Sequence, residues 1–357
     1  MKMNRAVWVA LVLLVIGLMK VLFFFAQNKY GFISVGGTSD ADYYDAIALG
    51  SLLDPNPWGQ FLKFLNNFGL YDRPNIAFVV ALTNAVLVPW LFYKVIASGK
   101  LGTNGMVNLA AVVYVSVYPT VLYYTTDIYR DIPMIAIFLI GVWMAKVLIE
   151  REWGGGRSRE IALQVAALSV CVGVLYMLRF YLAAAMVIAL VACFMFDLSK
   201  NVLVPLGLFV MTFTVADSVG VFNWMKIDYR LTYAAAGSGF GIDFSHGNFW
   251  VNFMDSLVKG LYGFYFKSRL SIVMFVVESL PALLATVYVV VNRKHIDRFA
   301  SFLLIFFVAY ASIWVIGVDS LGTAARYRVF NYLAIMLAAC VVYKNKQRLL
   351  AGLDAQG

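Results

Sequence analysis

Charge is scarce in this 357-residue chain, where Asp, Glu, Lys and Arg together make up 13% of the residues. Cysteine is scarcer: Cys171, Cys193 and Cys340 all fall inside apolar runs, with no C-x-x-C spacing and no histidine nearby in sequence. That pattern excludes a disulfide framework and a zinc site, and leaves three inert packing residues. No G-x-x-x-x-G-K-[ST] is present, and Gly237-Ser238-Gly239-Phe240-Gly241 lacks the strand-turn-helix setting of a nucleotide fold. Short alternating apolar and polar segments are also missing, which excludes an outer-membrane barrel. The apolar stretch after Lys2 and Arg5 is followed by no small-x-small cleavage site, so it reads as an uncleaved first span.

What is there is hydrophobic: 62% of residues, with a mean hydropathy of +0.82. No water-soluble core hides that much apolar surface, so the expected fold class is an all-α polytopic membrane protein. Ten spans are predicted, at 6–26, 75–97, 106–124, 132–149, 160–178, 180–196, 201–219, 271–291, 299–317 and 328–343. They form a single transmembrane domain over residues 1–357. The run 160–197 would be roughly 55 Å long as one helix, against a bilayer core of about 30 Å. A hairpin with Arg179 at the outer bend resolves the excess.

The net charge of +9 would suggest a nucleic-acid partner in a soluble protein. In a membrane protein its placement decides, and here it sorts by side. With the amino terminus cytoplasmic, the inner loops and tails hold 15 of the 28 basic residues and six of the 19 acids. The remaining charges balance, so the positive-inside rule is met with both termini inside and no nucleic-acid partner is implied.

Two outer loops are long, 27–74 and 220–270, while the inner loops are short. The working surface is therefore expected outside, with the two loops as its cap. Each carries an amphipathic pattern, Trp58, Phe61, Leu62, Leu65 and Phe68 in the first and Trp250, Phe253, Met254, Leu257, Val258, Leu261, Tyr262 and Tyr265 in the second. Asn252, Asp255, Ser256 and Lys259 lie opposite in the second, as in an in-plane interfacial helix. Such helices either cap the bundle or flank an opening for a lipid tail.

Three polar clusters stand out on the outer side. In Thr38-Ser39-Asp40-Ala41-Asp42-Tyr43-Tyr44-Asp45, three carboxylates fall within six residues. They read as a metal site, a general base with a helper, or a solvated loop; the absent glycine at position 6 and glutamate at position 12 exclude an EF-hand. The second cluster, Tyr123 to Pro133, holds Asp127, Arg130 and Asp131. Two acids at i, i+4 repel unless a cation lies between them, whereas Asp131 or a threonine could simply cap the helix that Pro133 begins. The third is Gly322-Thr323-Ala324-Ala325-Arg326-Tyr327-Arg328. With Lys267, Arg269 and Arg179 these arginines either anchor to headgroups or grip phosphate. Glu278 sits roughly 10 Å into its span and requires a partner, for ion pairing or for catalysis. Lys20 reads as a snorkelling residue, His295 as cytoplasmic, and His246 as a loop residue.

On TSDADYYDAIALG, TTDIYRDIP, YMLRFYLA and GTAARYRVFNYLAIMLA, the chain resembles the GT-C superfamily of polytopic glycosyltransferases and related bacterial surface-polysaccharide (O-antigen-type) polymerases. The resemblance implies transfer of a sugar or oligosaccharide from a polyprenyl-phosphate or -diphosphate donor to a hydroxyl acceptor, at the outer face of the cytoplasmic (inner) membrane. By this resemblance Asp40 or Asp42 is the general base, beside Asp45, while Arg130, Arg179, Arg326 and Arg328 hold the donor phosphate. Asp127 and Asp131 orient those arginines or share with Asp40 and Asp42 a divalent ion such as Mg or Mn. The partners implied are the polyprenyl-linked donor, a glycan or lipid-linked acceptor, and membrane lipids. A repeat-unit polymerase is the close alternative, and a lipid-linked sugar flippase or transporter the alternative from another class. No soluble outer domain is present in the sequence, and His246 is the only outer histidine.

Overall fold

The computed structural model describes residues 5–31, 40–97, 105–151, 158–223, 239–242, 244 and 248–354. Among these residues the chain is helical without strands, apart from an isolated antiparallel bridge between Gly239 and Ser320. It divides into two compact units, Met1–Ala183 and Ala184–Gly357.

In order, the helices are α1 (Arg5–Tyr30), α2 (Asp40–Ala48), α3 (Pro57–Asn67), α4 (Arg73–Ala97), α5 (Gly105–Ser116), α6 (Pro119–Tyr123), α7 (Asp131–Ile149) and α8 (Ser158–Leu178). They continue as α9 (Phe180–Met195), α10 (Leu203–Ser218), α11 (Phe249–Ser256), α12 (Arg269–Val291), α13 (Arg298–Gly317) and α14 (Leu321–Asp354). Among the described residues seven are long and apolar enough to cross a membrane: α1, α4, α7, α8, α12, α13 and α14. The other predicted spans are shorter apolar helices. At 16 residues, α9 and α10 reach about 24 Å, less than a bilayer core of about 30 Å. The stretch 106–124 is divided, because Tyr118 precedes Pro119 and takes an extended conformation that ends α5 and lets Pro119 start α6. The long run from 158 does break at Arg179, between Leu178 and Phe180.

In the first unit, Ala41, Tyr44 and Ala48 of α2, Trp58 and Leu62 of α3, Phe24, Ala77, Ala81, Ile128 and Tyr129 form one buried cluster. Their spacing on α2 and α3 is that of one helix face. Asn56 caps α3 by accepting from the Trp58 and Gly59 amides, and Pro57 opens its first turn. The apolar arc of α3 is wider than its buried part: Trp58 and Leu62 pack inward, while Phe61, Phe64 and Phe68 are exposed along the neighbouring flank. In the second unit α13 packs against α14, with Phe302, Phe306, Tyr310 and Trp314 buried. Trp314 Nε1 donates to Asn331 Oδ1 at 2.9 Å, and Asn331 Nδ2 to the Phe307 carbonyl at 2.7 Å.

Among the described residues three π-helical segments interrupt this regularity: Thr83–Leu87 within α4, Leu257–Leu261 after α11, and Phe275–Ser279 within α12. Each hosts a buried polar contact. Lys20, expected to snorkel, is instead 4% exposed and donates to the Asn84 carbonyl at 2.8 Å and to Asn84 Oδ1 at 3.0 Å. Tyr332 donates to the Leu261 carbonyl, and Arg328 Nη2 to Glu278 Oε2 at 3.0 Å. Such segments release carbonyls from the regular ladder, which makes them available as acceptors. The second amphipathic pattern also differs: Ser256, expected on the polar face, is buried and donates to the Val315 carbonyl at 2.7 Å.

Candidate functional site

The acidic run folds as α2, with Asp40 and Asp42 in its first turn, where the helix dipole favours negative charge. Packing of Ala41, Tyr44, Ile47 and Ala48 inward leaves Asp42 and Asp45, three residues apart, on a neighbouring face. α3 fixes the placement of α2: Asn66 Nδ2 donates to the Ala48 carbonyl at 3.0 Å, and Gly59 lies against Ile47 where a Cβ would come within 2.7 Å of its Cδ1. Trp58 Nε1 donates to the Ile128 carbonyl at 2.8 Å and so secures the turn that carries Asp127.

These carboxylates converge on a residue the sequence did not single out, Arg73, the first residue of α4. Its Nε and Nη2 bind Asp127 Oδ1 and Oδ2 at 3.0 and 2.6 Å, a bidentate pair. Nη2 also reaches Asp42 Oδ1 at 2.8 Å, and Nη1 lies 3.5 Å from Asp45 Oδ2. Tyr71 donates to the other oxygen of Asp45 at 2.5 Å, and burial followed by this hydrogen bond raises the Tyr71 phenol pKa. Asp72 caps α4 through the Asn75 amide. Arg73 is thus placed by its helix and held from three sides. The Asp42 side chain is 56% exposed, against 24% for Asp45 and 27% for Asp127, so Asp42 has the most accessible carboxylate of the three. Asp40 is exposed.

The site opens on a pocket of about 570 Å³. Asn28, Arg73, Asn75, Thr126 and Asp127 supply its polar lining, and Phe24, Phe25, Pro74, Ala77 and Phe78 its apolar lining.

The second acidic pair does not behave as its spacing implied. α7 starts at Asp131, so Asp127 lies in the preceding turn and shares no helix face with it. Arg130 precedes α7 without a side-chain cap, and Pro133 lies in the first turn. Asp131 faces Arg179 at 3.5 Å, with both side chains nearly inaccessible, and Arg179 also approaches the Tyr181 ring at 5.9 Å. Among the described residues no three His, Cys, Asp or Glu side chains are grouped to hold a metal ion. Asp42 and Asp127 meet a guanidinium rather than each other, and Asp131 meets a different one.

The other predicted residues belong to the second unit. Arg328 and Glu278, both at 0% exposure, form a buried ion pair that answers the requirement for a partner at that depth. The Arg328 guanidinium lies 5.6 Å from the Tyr332 ring. Gly263, at φ 70°, fits against them where a Cβ would meet Ser279 Oγ and Arg328 Nη1 at 2.6 and 2.7 Å. Arg326 is half-buried in the first turns of α14, while Arg269 opens α12 and is exposed. Lys267 is exposed and lies 5.2 Å from the Tyr265 ring. Asp319 accepts from the Ile242 amide at 3.2 Å, and burial raises its pKa. His246 lies outside the described residues.

No protein-family model, curated protein or solved structure matches the chain.

Proposed function

We propose that this chain is a membrane glycosyltransferase of GT-C type, moving a sugar or oligosaccharide from a polyprenyl-phosphate or -diphosphate carrier to a hydroxyl acceptor in surface-glycan synthesis. The observation that carries the reading is the meeting of Asp42, Asp45 and Asp127 on Arg73, with Arg73 and Asp127 lining a pocket that also presents aromatic and aliphatic side chains. An amphiphile with a charged head and an apolar chain fits such a pocket, and a lipid-linked sugar is one. The charge bias of the loops supports a bacterial cytoplasmic membrane, with the amino terminus inside and this site outside.

In the reaction, the acceptor hydroxyl attacks the anomeric carbon and passes its proton to Asp42. The bond from that carbon to the phosphate oxygen breaks, and the carrier phosphate leaves with the electron pair. Arg73 holds the Asp42 carboxylate in position and, with Arg130, offsets charge on the leaving phosphate. Transfer from a radiolabelled polyprenyl-diphosphate sugar by the purified chain in nanodiscs tests this. Asp42→Asn is expected to reduce the rate about 100-fold or more, as loss of a general base does. Undiminished transfer by Asp42→Asn and Asp40→Asn alike would remove the base assignment, and no transfer with any lipid-linked donor would remove the function.

A second reading rests on the buried Lys20–Asn84 contact at the π segment of α4 and the Glu278–Arg328 pair in that of α12. Interrupted spans with buried ionisable groups also suit a transporter of lipid-linked sugars. Movement of the carrier across liposomes without bond formation would favour that reading.

A further inference from the structure

The first unit carries more tyrosine than its acid–arginine centre uses. Tyr43, Tyr123 and Tyr124 are half-buried and pack on the same core cluster, which includes Tyr44 and Tyr129. Ring centroids are 5.2 Å apart for Tyr123 and Tyr124, 5.1 Å for Tyr124 and Tyr129, and 5.4 Å for Tyr43 and Tyr44. The Tyr43 hydroxyl bonds the Asp54 carboxylate and lies in the field of Arg130; partial burial and that bond push its pKa up to about 12.

An interfacial aromatic belt would explain amphipathic rings at this depth. It does not explain their choice here. Where α3 turns its free flank outward the residues are Phe61, Phe64 and Phe68, rings with no polar end. On the inner side the hydroxyls have partners: Tyr43 bonds Asp54 in the field of Arg130, and the Tyr123 and Tyr129 hydroxyls lie 3.3 Å apart. Aromatic faces carry negative potential and attract the electron-poor C–H bonds on one side of a pyranose, while hydroxyl, carboxylate and guanidinium groups at the rim match its hydroxyls.

We infer that Tyr43, Tyr123 and Tyr124, with Asp54 and Arg130, form a pyranose-binding platform that seats a sugar ring beside the Arg73 centre. The inference deepens the glycosyltransferase reading and rests on it for the role of the bound sugar. The platform makes and breaks no bond; it orients a ring.

The test is saturation-transfer NMR on the full chain in nanodiscs. The probes are methyl pyranosides of the gluco, galacto, manno, 2-acetamido, 6-deoxy and uronate series. At least one is expected to bind, with transfer strongest on one face of the ring. Tyr43→Leu and Tyr124→Leu are each expected to weaken it roughly tenfold, while Tyr43→Phe, which keeps the ring, retains most of it. Should the leucine variants fail to fold, Asp54→Asn and Arg130→Gln at the rim carry the test and are expected to weaken binding similarly. Absence of binding across all six series, or binding indifferent to every one of these changes, overturns the platform. Labelled polyprenyl phosphate without sugar serves as a parallel probe. If it binds in an Arg73-dependent way and no glycoside binds, the platform alone falls. If glycosides bind through the tyrosines while no lipid-linked donor supports transfer, the platform stands and the glycosyltransferase reading falls.

Discussion

Arg73 engages carboxylates 31, 28 and 54 residues away in sequence, and its fork geometry is what lets one side chain do so. A lysine has the charge without the fork. Arg73→Lys is therefore expected to lose the bidentate Asp127 contact and release Asp42, lowering transfer about 10- to 100-fold by the strength of charge-assisted hydrogen bonds. Initial rates with a lipid-linked donor check this. Arg328 is a contrasting arginine, since its partner Glu278 is equally inaccessible. Arg328→Met leaves a buried carboxylate uncompensated and is expected to destabilise the chain by about 3–5 kcal/mol, with Glu278→Leu in the same chain recovering much of the loss. Thermal unfolding in detergent measures both. The acids were legible in the sequence because three carboxylates in six residues are conspicuous in so apolar a chain. Arg73 was not, because a lone arginine before a proline at a span end looks like a headgroup anchor, and its partners are remote.

Among the elements, α2 and α3 position the site by packing on each other. Gly59 is their point of closest approach, and Gly59→Ala would drive a methyl into Ile47. Overpacking of this kind costs about 1–3 kcal/mol. The variant is expected to show a lowered unfolding midpoint and reduced transfer, both partly restored by Ile47→Ala; an unchanged midpoint would show that α2 is free to move. The face of α3 was readable from helical spacing, since Trp58 and Leu62 recur as a buried stripe should. Its division into a packed flank and an outward phenylalanine flank was not, because spacing gives direction but not what lies there. Nor does hydropathy report what a helix packs against, so it does not show that Ser256 faces inward with Phe253 or that Lys20 meets Asn84.

For the whole molecule, apolar length was the legible property. Helix lengths set the limit of that reading, with three apolar helices among the described residues shorter than a bilayer core. Topology is open to direct measurement in a chain whose three cysteines are replaced by alanine. A cysteine at Ser51 is expected to react with impermeant maleimide in intact cells and one at Lys200 only after permeabilisation; the reverse order would place the acid–arginine centre in the cytoplasm. The π segments bear on this architecture in another way. Each inserts one residue into a helix that advances about 100° per residue, so the two halves of α4 and of α12 run on different azimuths. Removing a single residue from 83–87 or 275–279 would leave composition, span length and sidedness nearly unchanged. It would also swing one half of the span through more than a quarter turn, exchanging the side chains it shows to lipid for those it shows to protein.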